Sequence, residues 1–196
     1  MNLPNQLTLG RLILCLVFTF FMQVNLEYAG VVALFLFILA SLTDWLDGYL
    51  ARRMGLITDL GKLLDPLADK ILIAAVFIGF VGKDLAPAWM VVCIVAREFL
   101  ITGLRGLASA KGVILPAQSW GKHKTISQMI AAIVGLILLA LTDFPAFPSD
   151  WVPLLHAYLF DPLLYLALAI TIFSGIAYFV VNQKLVFQSL HTDSSP

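Results

Sequence analysis

The sequence predicts an all-α, polytopic membrane protein: six transmembrane helices preceded by a short N-terminal interfacial segment. Three observations predict it. First, the 196 residues are 61% hydrophobic and only 12% charged, with a mean hydropathy of +0.96, whereas soluble domains carry about 25% charged residues. Second, apolar stretches recur at roughly the 20 residues that a helix rising about 1.5 Å per residue needs to cross a 30 Å hydrocarbon core. Third, the basic residues fall almost entirely on one side of those stretches, as the positive-inside rule requires. Helices are the default for such runs because lipid cannot satisfy exposed backbone amides.

Residues 2–6 (NLPNQ) read as the interfacial segment, with Asn5 or Thr8 placed to cap the helix that follows. The spans fall at 8–26, 30–52, 58–81, 87–110, 125–141 and 162–182. Arg11 followed by an apolar run resembles a secretory signal, but the run continues to Leu26 with no small-residue cleavage site, so a retained first span is expected. Residues 144–161 contain Pro145, Pro148, Pro153 and Trp151 and read as a turn-rich loop with an interfacial anchor. Residues 1–187 form a single transmembrane catalytic domain, and 188–196 a polar, disordered tail.

With six spans, one side or its flanks collects Arg11, Arg52, Arg53, Lys62, Arg105, Lys111, Lys122, Lys124 and Lys184. The other holds Lys83 with Glu27, Asp84, Asp143, Asp150 and Asp161. Both termini are therefore expected in the cytoplasm. Cys15 and Cys93 lie in apolar runs, where a thiol packs as a small hydrophobe, and they form no redox or metal motif.

The feature that demands explanation is four aspartates, Asp44, Asp47, Asp65 and Asp69, in otherwise apolar segments. An ionised carboxylate at the centre of a membrane helix costs about 2.5–3.5 kcal/mol on insertion scales unless a cavity or ion receives it. Asp44 and Asp47 are three apart and share a helix face with Gly48 and Ala51; Gly61, Asp65 and Asp69 are spaced by four along the next. Two antiparallel helices carrying these faces would form a four-carboxylate basket. The small residues leave room for a ligand, and Pro66 removes a helical hydrogen bond beside it. All-oxygen ligation suits hard cations, Mg²⁺ or Mn²⁺, rather than zinc. Two such ions sharing carboxylates are the usual device for phosphoryl-type displacement.

The pattern D-x2-D-G-x2-A-R-x8-G-x3-D-x3-D is complete from Asp44 to Asp69. It resembles the signature of the CDP-alcohol phosphotransferase family of membrane enzymes. That resemblance implies six transmembrane helices, a homodimer, and a dinuclear site facing the cytoplasm of an inner-membrane protein. It also implies in-line attack by an alcohol on a CDP-linked lipid with release of CMP. By carry-over, Asp44, Asp47 and Asp65 ligate the two divalent cations, and Asp69 is a further ligand or the general base. Gly48, Arg52 and Thr58 stand where the family contacts the CDP-lipid, and Ala51, Gly61, Asn5 and Thr8 are assigned beside them.

A second polar set addresses the acceptor. Arg97 lies within an apolar run where a cation needs a partner, which Glu98 or a bound anion can supply. Arg105 lies eight residues on, about 80° round the helix, so both can face one cavity. Lys122 opens the next span. Arginine forks suit a phosphate monoester; the alternative is that Arg105, Lys122 and Lys124 anchor anionic lipid heads. His123 reads as an interfacial polar residue. Residues 2–11, 97–105 and 121–125 resemble the branch of the family whose donor is CDP-diacylglycerol and whose acceptor is sn-glycerol 3-phosphate. The resemblance covers most of residues 2–128, and the last third is simply hydrophobic. Sibling acceptors (inositol phosphate, serine, phosphatidylglycerol) keep the same chemistry. A cation or proton transporter is the rival class, although its acids would be dispersed through the membrane depth. No nucleic-acid partner is expected.

Overall fold

The structure is a computed structural model. It describes the backbone of residues 3–54, 59–110, 112 and 120–191, and the side chains of these except 3–5, 45, 47–54, 59–66, 110, 120 and 184–191. The described residues are all helical or in short turns. They form α1 (Leu3–Gln23), α2 (Ala29–Met54), α3 (Asp59–Gly82), α4 (Ala88–Ala110), α5 (Trp120–Thr142), the five-residue α6 (Trp151–Leu155) and α7 (Asp161–His191). Three stretches are both long and apolar enough to cross a membrane: Gln6–Gln23, Gly121–Thr142 and Trp151–Gln183. Helices α2, α3 and α4 have 26, 24 and 23 residues, and among the described residues α2 carries a shorter apolar stretch, Ala29–Asp44.

Three expectations are corrected. Residues 3–6 do not form a separate segment; they are the first turn of α1. Pro4 is tolerated there because the first helical amides have no intrahelical acceptor to lose. Asn5 and Thr8 consequently lie inside the helix rather than at its N-cap position. The expected loop 144–161 is a loop only to Asp150, beyond which α6 leads through a π-helical turn, His156–Phe160, directly into α7. Pro153 sits in the first turn of α6. Pro162, which lacks an amide hydrogen and would crowd the carbonyl four residues back, follows the π turn immediately. There the Asp161 N–H donates to the His156 carbonyl, five residues back. The widened turn absorbs the proline, so the chain stays helical. At the other end, α7 continues four residues into the expected tail, to His191.

The turns explain why the helices stop where they do. After α3, Asp84 adopts a left-handed φ of 55°. Its N–H donates to the Val81 carbonyl, and the Leu85 N–H to the Phe80 carbonyl at 2.9 Å. This is a Schellman closure, with aspartate in the position glycine usually takes and Pro87 preventing continuation. The start of α2 is capped from a distance: the Asp143 carboxylate, at the end of α5, accepts the Val31 N–H at 2.9 Å. A carboxylate there satisfies an orphan amide and complements the positive helix end.

Helix α5 is the centre of the bundle, packing on α2, α3 and α7, while α1 packs on α2 and α3, and α4 on α7 and α3. Glycine makes one of these approaches possible. A Cβ on Gly30 would lie 2.8 Å from the Leu139 backbone carbonyl carbon, so α2 and α5 meet backbone to backbone. The core is aromatic: Phe77 meets Phe80, and Phe80 meets Phe160 with centroids 5.4 Å apart, edge to face. The buried Gln128 donates to Thr171 Oγ1 at 2.9 Å, fixing α5 against α7. At one end of the bundle Lys83 bonds Asn25, His156 bonds the Leu85 carbonyl, and Asp143 caps α2. The polar site lies at the other.

Candidate functional site

Helical periodicity at that polar end assembles two adjoining cavities. The smaller, of about 50 Å³, is lined by Arg11, Ser41, Asp44, Asp69, Leu72, Ile73 and Met129. Asp44 from α2 and Asp69 from α3 therefore face one space, as the spacing predicts. The third participant was not assigned to the site from its sequence position. Arg11 is fully buried, and its Nη1 lies 2.5 Å from Asp44 Oδ1. A residue expected to contribute to the cytoplasmic charge bias is thus an internal counter-ion. The clue was available: an arginine inside an apolar run needs an anion, just as Arg97 does. Thr8, one turn before Arg11 on α1, is also buried.

Asp47, Gly48, Ala51 and Arg52 lie on the last turns of α2, and Gly61 and Asp65 on the first turns of α3. Helical backbone through both segments keeps the expected registers, with 44, 47, 48 and 51 on one face and 61, 65 and 69 on the other helix's face. Their side chains, and that of Asn5, lie outside the described residues, as does Thr58 altogether. Among the described residues no three His, Cys, Asp or Glu side chains converge. Asp44 and Asp69 are the half of the carboxylate set that can be located, and a pair of hard oxygen donors on one small cavity fits a divalent cation.

The larger cavity, about 850 Å³, opens beside the first and shares Asp69 with it. Arg97, Arg105 and Lys122 all line it, so the three residues assigned to an acceptor phosphate come together from α4 and α5. Lys70, Lys124, Ser174 and Tyr178 complete its polar wall, and none of these was singled out for the site from sequence. Lys124 is not a lipid anchor. It is buried, and its Nζ donates to Glu98 Oε1 at 2.5 Å. The same carboxylate oxygen stands 3.4 Å from Arg97 Nη1, while Arg97 Nη2 donates to Ser174 Oγ at 3.1 Å. Glu98 is therefore the partner Arg97 required, and it also holds Lys124. Gly175 matters here because any Cβ would come within 3.0 Å of Arg97 Cγ, where the side chain crosses α7. His123 is exposed and does not line the cavity.

Asp69 and a cluster of cations lining one cavity suit a site that binds phosphorylated groups. The chain belongs to the CDP-alcohol phosphatidyltransferase family, whose pattern matches residues 1–177. Among its relatives, the Bacillus subtilis (strain 168) protein named CDP-diacylglycerol–glycerol-3-phosphate 3-phosphatidyltransferase is 39% identical, over 92% of this chain and 95% of its own. Proteins of the same name are 36% identical in Rickettsia felis, over 93% of this chain and 96% of theirs, and 35% identical in Pseudomonas fluorescens, over 81% of each. Membership in an enzyme family sets aside the transporter reading.

Proposed function

We propose that this protein transfers the phosphatidyl group of CDP-diacylglycerol to sn-glycerol 3-phosphate, giving phosphatidylglycerophosphate and CMP. The observation that carries the reading is the single cavity in which Arg97, Arg105 and Lys122 stand across from Asp69. A phosphorylated acceptor held by the cations has its free hydroxyl directed toward the aspartates, where the CDP-lipid diphosphate lies. The hydroxyl oxygen forms a bond to the phosphorus that bears the diacylglycerol. The bond from that phosphorus to the bridging oxygen breaks, and CMP departs with the electron pair. Asp69 lines both cavities and is placed either to take the hydroxyl proton or to join the metal ligands. Gly48, Ala51, Arg52, Thr58, Gly61, Asn5 and Thr8 are assigned to the CDP-lipid, with Arg52 suited to its diphosphate. Asp44, Asp47, Asp65 and Asp69 would hold two divalent cations, Mg²⁺ or Mn²⁺, whose chemistry is to neutralise charge developing on the diphosphate.

The lengths of α2, α3 and α4, each enough at about 1.5 Å per residue to cross a bilayer, support a reading with six spans. The charged residues of α4 face the cavity rather than lipid. The distribution of Lys and Arg supports a multi-pass protein of the inner membrane with both termini and the site in the cytoplasm. The family resemblance supports a homodimer.

An acceptor panel tests the reading. Membranes containing the protein and CDP-diacylglycerol are given radiolabelled glycerol 3-phosphate, inositol phosphate, serine or phosphatidylglycerol. Incorporation of glycerol 3-phosphate with stoichiometric CMP is expected. Incorporation of another acceptor without it refutes the choice, and full activity after thorough chelation refutes the metal site.

A further inference from the structure

The last third of the chain, hydrophobic and uninformative as sequence, supplies α7 and with it a feature the reaction has not used. Tyr178 is only 5% exposed, lines the large cavity, and its hydroxyl has no hydrogen-bond partner among the described residues. Its ring packs on Ile101, Leu104 and Ala108 of α4, so phenylalanine would fill the same space. A buried hydroxyl left unpaired is destabilising, and a polar group that persists in that state calls for a reason. A second orphan donor faces the same region: Arg97 Nε is buried without a partner, although Nη1 and Nη2 of that side chain are bonded. Tyr178 lies one helical turn beyond Ser174, which accepts from Arg97, and it lines the same cavity as Arg97 and Arg105. A hydroxyl donor sharing a cavity with two guanidinium groups matches a ligand rich in acceptor oxygens and negative charge.

We propose that Tyr178 is a specificity-determining residue of the acceptor site, its hydroxyl donating a hydrogen bond to the phosphate monoester that Arg97 and Arg105 hold. The proposal rests on the acceptor reading above and adds α7 to the elements that select the substrate. It explains why a tyrosine rather than a phenylalanine packs its ring among Ile101, Leu104 and Ala108.

The test uses purified full-length protein and Tyr178→Phe in mixed micelles with CDP-diacylglycerol. One lost hydrogen bond to a charged group predicts an apparent KM for glycerol 3-phosphate raised about tenfold. The KM for CDP-diacylglycerol and kcat should stay within about twofold. Without ligand the variant should melt at the same temperature or higher, because an unpaired hydroxyl has been removed, while the stabilisation given by glycerol 3-phosphate or inorganic phosphate shrinks. Unchanged acceptor KM and unchanged stabilisation overturn the proposal. A lower ligand-free Tm with both KM values raised also overturns it, in favour of a packing role. If the parent protein fails to turn over glycerol 3-phosphate but is stabilised by phosphate in a Tyr178-dependent way, the acceptor reading falls and this one stands. If it shows neither turnover nor stabilisation, both fall.

Discussion

Replacing Glu98 with glutamine should be among the most damaging single changes outside the aspartate set, and the structure gives the size of the effect. Glu98 Oε1 is shared by Lys124 Nζ at 2.5 Å and Arg97 Nη1 at 3.4 Å. The side chains of Glu98, Lys124 and Arg97 are 10%, 9% and 13% exposed, so water screens little of the interaction. Opposite charges about 3 Å apart attract by roughly 5–6 kcal/mol at an effective dielectric of 20, before desolvation is subtracted. Removing one member of such a buried pair costs about 3–5 kcal/mol net, because the other charge is stranded. Glu98→Gln strands two cations. Lys124→Met strands none, since Glu98 keeps Arg97, and should cost about 1–2 kcal/mol less than Glu98→Gln. The double variant should be at least about 2 kcal/mol more stable than the sum of the singles implies. Unfolding in mixed micelles titrated with a denaturing detergent, followed by tryptophan fluorescence, measures all four corners of the cycle. Additivity within about 0.5 kcal/mol, or a Lys124→Met penalty exceeding that of Glu98→Gln, would refute the shared-carboxylate arrangement.

Two further outcomes are expected. Asp44→Asn should lower turnover by more than about 10²-fold while membrane insertion and detergent extraction stay normal, because a carboxylate of the proposed metal site and the partner of Arg11 are lost but no span is; near-normal turnover would remove Asp44 from the site. Gly30→Ala should destabilise by about 1–2 kcal/mol in the same unfolding assay. Its Cβ meets Leu139 backbone at 2.8 Å, where no rotamer change gives relief, and strain of about 1–3 kcal/mol outweighs the alanine helix preference. An unaltered midpoint would show that α2 and α5 do not approach so closely.

Hydropathy alone placed five of the six long helices to within a few residues, α4 almost residue for residue, because burying backbone amides in lipid leaves the chain little choice. Extending the last helix backwards through Pro162 was beyond that logic. A proline reads as a break in sequence, and only the π turn ahead of it shows how the ladder continues. The aspartate registers were legible because spacing along a helix fixes a face. Arg97, Arg105 and Lys122 could be nominated because cations in apolar runs need partners. What spacing cannot give is which partner. That Arg11 meets Asp44, 33 positions on, that Glu98 divides itself between its neighbour Arg97 and Lys124, 26 positions on, and that Tyr178 closes the wall from α7 depend on contacts between helices. The packing of α1 on α2, and of α7 on α4 and α5, brings those residues together. Local periodicity determines what each helix offers, whereas the pairing of helices decides which offered charges neutralise one another and which are left for the substrate.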